Sequence, residues 1–382
     1  MAAFIGNLLS LANNARPVRA DVARQVIETS TVAQRTIVET EKNLKQLAVE
    51  SYRPREFRPI WWLRNKHAQT IAGLYLPRFK PIDFERERVE TGSGAFYDVD
   101  THRAGDGKSV VVLCHGLESC ARGPHTLRIG QALAKSGHTV AAMNFRGCSG
   151  DVNRVLQDYH LGFTDDVYHY IRILSQRLPS DARIYLSGFS LGANVVLKFL
   201  GERSEEELRD LKVHGAAVQC VPFDPVACQV KLDSGFTREV YSKRFLASLK
   251  KKAAEKAKLF PGAFDLKRIE AAESIAEFDD AFVAPIFGFK SNIDYYQKCD
   301  TKPLLRNISV PTLVINALDD PLIERRTLPT TKDLGSAPVR LVYTKKGGHL
   351  GFIQSTRSES YTSAETARFL THVDAMHRSP RG

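Results

Sequence analysis

The sequence lacks the cysteine and hydrophobic patterns that mark several classes of protein. Its six cysteines include no Cys-x-x-Cys pair, and their spacing matches neither a zinc site nor a disulfide framework. No apolar run approaches the length of about 18 residues that a membrane-spanning helix needs, and no secretory signal is evident. We therefore expect reduced thiols and an intracellular protein, either cytoplasmic or peripherally bound to a membrane.

Acidic residues are in the minority. The 382 residues include 54 Lys or Arg and 43 Asp or Glu, which gives a formal net charge of +11. Such a charge favours anionic partners such as lipid headgroups or nucleic acid, although it also fits a soluble protein with a basic surface. No recognisable nucleic-acid module accompanies the charge, so we expect no nucleic-acid partner.

Residues 1–50 are predicted to form a helical extension outside the main domain. Apolar residues of the first twenty positions recur at helical spacing, with Arg16 and Arg19 near the end and no acid before Asp21. Residues 21–48 continue as a long amphipathic helix. Such an extension suits organelle targeting, membrane anchoring or packing, and the sequence does not choose among them.

Short apolar strands alternate with helices through the rest of the chain. A strand–turn–strand unit at residues 84–102 comes first, and segments such as SVVVLCHG, RIYLSGFS and PTLVINAL are typical of buried strands. The alternation predicts an α/β fold whose mostly parallel central sheet carries helices on both faces. We assign residues 51–221 and 306–382 to this core. Residues 222–305 are expected to form an inserted helical cap above the carboxyl edge of the sheet.

Ser190 is the candidate nucleophile. It lies in the segment Gly188-Phe189-Ser190-Leu191-Gly192, where a predicted strand meets a predicted helix. This is the context of a nucleophile elbow, in which a strained turn presents the serine hydroxyl at the top of the sheet. The pattern alone is weak, but the strand–turn–helix context favours a catalytic serine over a serine in an ordinary tight turn.

The partners of the serine should follow it along the chain, first an acid and then a histidine. His349 follows the last predicted strand, within the glycine-rich segment KKGGHLGF. Asp319 and Asp320 follow the strand before it. We favour Asp320, four positions beyond Asn316 at the end of that strand, and keep Asp319 as the alternative.

An oxyanion hole requires two backbone N–H donors. The predicted donors are Leu191, directly after the nucleophile, and Leu117, in the loop that follows an early strand. His115 is expected to shape this loop. Glu118 places an acid beside the predicted hole, where it would oppose a developing negative charge, and we expect its side chain to point outward.

A second histidine pattern has the spacing His-x4-Asp, from His160 to Asp165. Some glycerolipid acyltransferases use this spacing, with the histidine as base. Because only two positions are fixed and Asp165 lies at the start of a predicted helix, we expect a structural role. Arg146, in an earlier loop, is expected either to line the pocket or to tie loop carbonyls together.

The predicted cap is basic. Between Lys231 and Glu270 there are eleven Lys or Arg and five Asp or Glu. Apolar residues recur every three or four positions from Leu246 to Phe260, so this face is expected to pack downward. Five lysines are expected mostly toward water, either as a solvated face or as a contact with anionic membrane; they are Lys250, Lys251, Lys252, Lys256 and Lys258.

Seven motifs resemble those of one known enzyme family. In order along residues 57–355 they are WWLRNKHAQTI, LCHGLES, NFRGCSG, GFSLGAN, EFDDAFVAPIFGFKSNIDYY, INALDDP and GGHLGF. In these motifs the chain is similar to the AB hydrolase 4 family of α/β-hydrolases, the group of YheT and the embryogenesis-associated proteins. The resemblance implies the α/β-hydrolase fold and a triad of Ser190, Asp320 and His349. It also implies hydrolysis of acylglycerols, phospholipids or medium-chain esters.

The expected function is therefore a serine esterase or lipase that acts on a small, lipid-like ester and needs no metal or organic cofactor. An acyltransferase with the same triad is one alternative, since some members of the family transfer the acyl group to an alcohol. A hydrolase fold without activity, used as a scaffold, is the other. Peripheral membrane contact through the basic cap or the N-terminal helix is a further expectation.

Overall fold

The computed structural model describes residues 39–40, 42–76 and 82–378. The chain forms two compact units, residues 1–47 and 48–382. In the first unit, residues 39–40 and 42–47 are helical, as expected for the end of the helix predicted over residues 21–48. The remainder of that helix and the predicted targeting segment lie outside the described residues.

The second unit is built on one eight-stranded sheet with the order β1-β2-β4-β3-β5-β6-β7-β8. β1 and β2 form an antiparallel pair, β2 runs antiparallel to β4, and all other neighbours are parallel. The central strands are buried along almost their whole length because helices cover them. The strands are β1 Glu85–Glu90, β2 Phe96–His102, β3 Ser109–Cys114, β4 Thr139–Asn144, β5 Arg183–Phe189, β6 Val213–Gln219, β7 Thr312–Ala317 and β8 Val339–Thr344.

Helices connect the parallel strands. The connection from β3 to β4 moves toward one edge of the sheet, whereas the connections from β4 through β5 to β6 move toward the other. Because such crossovers are right-handed, the two sets of helices lie on opposite faces. The predicted α/β-hydrolase fold class is thus confirmed. Outside the interval between β6 and β7, the helices are Lys66–Ala72, Pro124–Lys135, Asp165–Arg177, Leu191–Glu202, Glu205–Asp210, Thr331–Leu334 and Tyr361–Arg378, with a short 3-10 turn at Arg325–Thr327.

The long interval between β6 and β7 is helical, as the sequence predicted for the cap. Its longest element, Lys243–Leu259, is called the cap helix below. The segments before it are Pro225–Leu232, Gly235–Thr237 and the π-helical Arg238–Ser242. After it come Leu266–Ala271, Ile275–Phe278, the π-helical Asp279–Val283, Ala284–Phe287, Asn292–Cys299 and the 3-10 turn Leu305–Asn307.

None of the helices in residues 39–40, 42–76 and 82–378 combines the length and apolar composition that a membrane span requires.

Candidate active site

Ser190 occupies a strained turn between β5 and the helix Leu191–Glu202. Its backbone has φ 54° and ψ −123°, a conformation that costs a side-chain-bearing residue about 1–3 kcal/mol. The flanking glycines are required by space. A Cβ on Gly188 would lie 2.5 Å from the carbonyl oxygen of Gly192, and one on Gly192 would overlap the carbonyl oxygen of Cys114. Glycine is therefore the residue that fits at positions 188 and 192 of this turn.

The three residues predicted as a triad lie in hydrogen-bonding contact. The Nε2 atom of His349 lies 3.0 Å from the Oγ of Ser190, and the Nδ1 atom lies 2.8 Å from the Oδ2 of Asp320. Asp320 and His349 are both buried. The other carboxylate oxygen of Asp320 accepts the N–H groups of Leu322 and Ile323, which fixes the plane of the carboxylate.

Asp319, the alternative acid, binds a different partner. Its Oδ1 atom accepts the backbone N–H of Gly348 at 3.0 Å. Burial raises the pKa of its carboxyl group, although the Gly348 N–H and Lys346 oppose that effect. Of the two neighbouring acids, the structure therefore brings Asp320 to His349 and uses Asp319 to hold the loop.

The glycines around His349 allow the loop to press against the helix Lys66–Ala72. A Cβ on Gly348 would overlap the carbonyl oxygen of Lys66, and one on Gly351 would overlap that of Gln69. The backbone N–H of His349 donates to the Oγ1 of Thr70 at 2.9 Å. Sequence reasoning missed this support. The feature that could have indicated it is the polar pair Gln69 and Thr70 in NKHAQTI, because both residues are buried in the helix.

Cys220 lies beside the acid and the imidazole. Its sulfur, a carboxylate oxygen of Asp320 and a ring nitrogen of His349 all lie within 4.8 Å of one another. The backbone N–H of Leu350 donates to the sulfur at 3.4 Å. Burial raises the pKa of the Cys220 thiol well above its ordinary value, and Asp320 raises it further. The thiol is therefore neutral, and its S–H can donate a hydrogen bond to Asp320.

Backbone strain is concentrated in the loops around Ser190. Positive φ angles are rare outside glycine and cluster at functional sites. Five such residues lie in the loops after β3, β5, β6 and β8: Glu118, Ser190, Cys220, Leu350 and Phe352.

The loop after β3 lies against the nucleophile. A Cβ on Gly116 would sit only 3.2 Å from the Cβ of Ser190. His115 holds this loop as expected, because its Nδ1–H donates to the Gly116 carbonyl at 2.7 Å while its Nε2 accepts the N–H of Phe145. Burial lowers the pKa of His115 to about 4, so the ring is neutral. Leu117 lies in this loop, and Leu191 begins the helix that follows Ser190. The two residues remain the predicted oxyanion donors.

The expectation that Glu118 points outward is wrong. Its side chain is only 5% exposed and lies 2.8 Å from the Nζ of Lys252 on the cap helix. The carboxylate also accepts hydrogen bonds from Ser248, on the same helix, and from Tyr159 at 3.1 Å. An ion pair with the cap helix thus neutralises this acid.

The cap lysines also differ from expectation. Burial would lower the pKa of Lys252, but Cys148 and Glu118 outweigh it and raise the pKa above its usual range. Lys256 is 1% exposed and donates to the carboxylate of Asp158 at 2.7 Å and to the carbonyl of Val155 at 2.8 Å. Two of the five lysines therefore tie the cap to the core, because buried carboxylates and carbonyls of the core require cations or donors.

The contacts of His160 fit a structural role. Its ring packs against Phe287, with centroids 4.5 Å apart, and against Tyr295. Its Nδ1 accepts the N–H of Gly162 at 3.1 Å, and burial lowers its pKa to about 3. Asp165 begins the helix Asp165–Arg177, as the sequence suggested.

Arg146 binds a buried carboxylate of the core. Its guanidinium group makes two hydrogen bonds, of 2.8 and 2.6 Å, to the buried carboxylate of Asp166. This pair joins the loop after β4 to the first turn of the helix Asp165–Arg177.

Known proteins share this arrangement of fold and motifs. A family model described as alpha/beta hydrolase fold matches residues 109–356. The chain belongs to the α/β-hydrolase family. Within it, the relatives place this hydrolase in the AB hydrolase 4 group.

Two relatives and one structure illustrate the similarity. YheT of Escherichia coli (strain K12), whose name describes an esterase, is 35% identical over 79% of this chain and 88% of its own. The Homo sapiens phospholipase ABHD3 is 23% identical over 83% of this chain and 78% of its own. A structure of the Pyrococcus furiosus esterase Pf2001 has 14% identity and a TM-score of 0.50, covering 84% of this chain and 98% of that one, which is a likeness of fold alone. The chain is thus a hydrolase of the esterase or lipase type.

Proposed function

We propose that this hydrolase cleaves carboxylic esters of lipid-like molecules through a triad of Ser190, His349 and Asp320. The observation that supports the proposal is the continuous path of hydrogen bonds, 3.0 and 2.8 Å long, from the serine hydroxyl through the imidazole to the buried carboxylate. The name of the human relative, a phospholipase, supports a lipid-like substrate such as an acylglycerol, a phospholipid or a medium-chain ester.

In the acylation step, the Oγ of Ser190 attacks the ester carbonyl carbon while the Nε2 of His349 takes the hydroxyl proton. The N–H groups of Leu191 and Leu117 donate to the resulting oxyanion. The carbon–oxygen bond to the alcohol then breaks, and His349 returns the proton to the departing alcohol.

Deacylation repeats these steps with water. His349 takes a proton from water as the oxygen attacks the acyl-enzyme, and it then returns the proton to Ser190 as the carboxylic acid leaves. Asp320 accepts the Nδ1–H of His349 throughout, which holds the reactive tautomer and stabilises the imidazolium. No metal or organic cofactor takes part in this scheme.

The test is Ser190→Ala, measured with a fluorophosphonate probe and a series of esters of increasing chain length. We expect labelling to disappear and kcat to fall by about 10⁴-fold or more. Ser93→Ala, at an exposed serine in the turn between β1 and β2, is the matched control and should keep full activity. Undiminished turnover by folded Ser190→Ala protein would refute the mechanism.

The alternatives give different results in the same assays. A folded wild-type protein that takes up no probe and turns over no ester would support the scaffold. Formation of a new ester in preference to the free acid, when an alcohol is added at low concentration in water, would support the acyltransferase.

A further inference from the structure

The chain contains two tryptophans, which are adjacent and face solvent. Trp61 is 77% exposed and Trp62 is 50% exposed. The turn that carries them is anchored, because Ile60 donates its N–H to the carbonyl of Ile353 and Leu63 is buried. Two large aromatic side chains therefore project from a fixed backbone, and exposed apolar groups of this size commonly mark an interaction site.

The following helix, Lys66–Ala72, extends the exposed region. Its inner side carries Thr70, which holds His349. Ile71, on its outer side, is 41% exposed, and Tyr75, in the turn that follows the helix, is 69% exposed. Phe236, at the start of the cap, is 55% exposed and packs on the ring of His67 with centroids 4.4 Å apart. We call Trp61, Trp62, Ile71, Tyr75 and Phe236 the aromatic surface.

The described segment that carries four of these five residues is basic. Residues 57–76 contain Arg58, Arg64 and Lys66 and no Asp or Glu, and of these Arg58 pairs with Glu56. Tryptophan and tyrosine rings flanked by lysine and arginine suit the boundary between lipid headgroups and acyl chains, where one part of the ring is apolar and the other is wet. Basic residues add attraction to anionic headgroups. A two-fold contact with a second copy would instead oppose these like charges.

We propose that the aromatic surface docks the protein on an anionic lipid–water interface. The inference deepens the proposed function and rests on it for the identity of the substrate, since it adds that the enzyme meets its lipid in an aggregate. Ile71 of this surface lies on the outer side of the helix whose Thr70 supports His349. Docking here would therefore bring that helix to the lipid, with Phe236 as the contribution of the cap.

Tryptophan emission can test this directly, because both tryptophans of the chain belong to the aromatic surface. The full-length Ser190→Ala protein is mixed with vesicles of phosphatidylcholine and phosphatidylglycerol. We expect the emission to shift to the blue, and to be quenched when the phosphatidylcholine carries bromine on its acyl chains. Pure phosphatidylcholine should give a smaller effect. Because no turnover is measured, the result is independent of the proposed chemistry.

The variant Trp61→Ser/Trp62→Ser is then compared by co-sedimentation with the same vesicles. We expect partitioning to fall about tenfold or more, the equivalent of about 1.4 kcal/mol. Leu259→Ser, at the end of the cap helix, removes a similarly exposed apolar side chain and should bind as the parent does; Leu259 is 56% exposed.

Three results would overturn the proposal. The first is co-sedimentation without any change in tryptophan emission, which would assign binding to another part of the chain. The second is a blue shift that grows with protein concentration in the absence of lipid, which would indicate a second copy. The third is emission that is already blue in dilute protein and insensitive to vesicles, which would indicate that the chain itself covers the surface.

Discussion

The Nζ of Lys252 lies 2.8 Å from the Oε1 of Glu118, and this ion pair joins the cap helix to the loop of the predicted oxyanion hole. Glu118 directly follows Leu117, and its own N–H donates to the hydroxyl of Tyr159 at 3.1 Å. The position of the loop therefore depends on the cap. If the cap moves away, a buried carboxylate loses its cation beside the site where negative charge would develop.

Lys252→Met should consequently damage both stability and catalysis. An unpaired buried carboxylate costs about 1–3 kcal/mol of unfolding free energy, and we expect kcat to fall at least about tenfold while KM changes less. Lys252→Arg should restore much of the loss, because it keeps the charge. Lys251→Met, at the exposed neighbouring position, is the control. Equal kcat and unfolding free energy in Lys252→Met and the wild type would contradict the coupling.

Substitution of Asp320 and of Asp319 should have different effects on kcat. Asp320→Asn removes the charge that faces Nδ1 of His349 and should lower kcat by about 10⁴-fold. Asp319→Asn keeps an oxygen that can accept the N–H of Gly348, so its kcat should stay within about tenfold of the wild type. Steady-state kinetics with a soluble ester measures both. If Asp319→Asn were the more damaging change, the assignment of the acid would be reversed.

Thr70 should act as a positioning residue for His349. Thr70→Val removes the acceptor of the His349 N–H and leaves that buried donor unsatisfied, at a cost of about 1–3 kcal/mol. We expect lower kcat and a lower melting temperature, with recovery of both in Thr70→Ser, which restores the hydroxyl. Ile71→Val, on the outer side of the same helix, serves as the control when kcat is measured with a soluble ester, which needs no docking on lipid. A Thr70→Val enzyme with unaltered kcat would show that the bond has no part in placing the imidazole.

Sequence reasoning succeeded where a local pattern carries the information. The alternation of strands and helices predicted the sheet, and Gly188 and Gly192 marked the turn at Ser190 because no other residue fits there. Chain order placed His349, and the position after β7 favoured Asp320 over Asp319. In the fold, the turn after β7 directs Asp320 toward the ring and Asp319 toward Gly348.

Long-range pairing explains the failures. Glu118 and Lys252 are 134 positions apart, and Lys256 lies 98 positions from Asp158. Lys252 and Lys256 were expected mostly toward water and Glu118 was expected to point outward, because the partner that offsets the burial of each belongs to another element of the fold. Thr70 was overlooked for a similar reason, since its partner His349 follows 279 positions later. The functional roles of the triad and of the oxyanion donors stay predictions until the variants are measured.

Asp279 should make the cap sensitive to pH. It is buried in the π-helical segment Asp279–Val283, and the hydroxyl of Tyr296 donates to its Oδ2 at 2.6 Å. Burial raises the pKa of Asp279 from 3.8 to about 7, with Tyr296 opposing this effect and Asp233 adding to it. The folded protein thus holds a proton that the unfolded chain releases near pH 4.

The stability contributed by neutral Asp279 is therefore complete below pH 3.8 and is lost as the pH rises through about 7. Asp279→Asn cannot ionise, so the wild type should lose stability relative to this variant between about pH 4 and pH 7, by up to a few kcal/mol. Urea unfolding of both proteins at several pH values measures the difference. Asp280→Asn, which removes an acid from the next position, should leave the wild-type profile in place. The difference in unfolding free energy between the wild type and Asp279→Asn could instead stay constant with pH. Asp279 would then titrate outside this range, and any pH response of the cap would come from other groups.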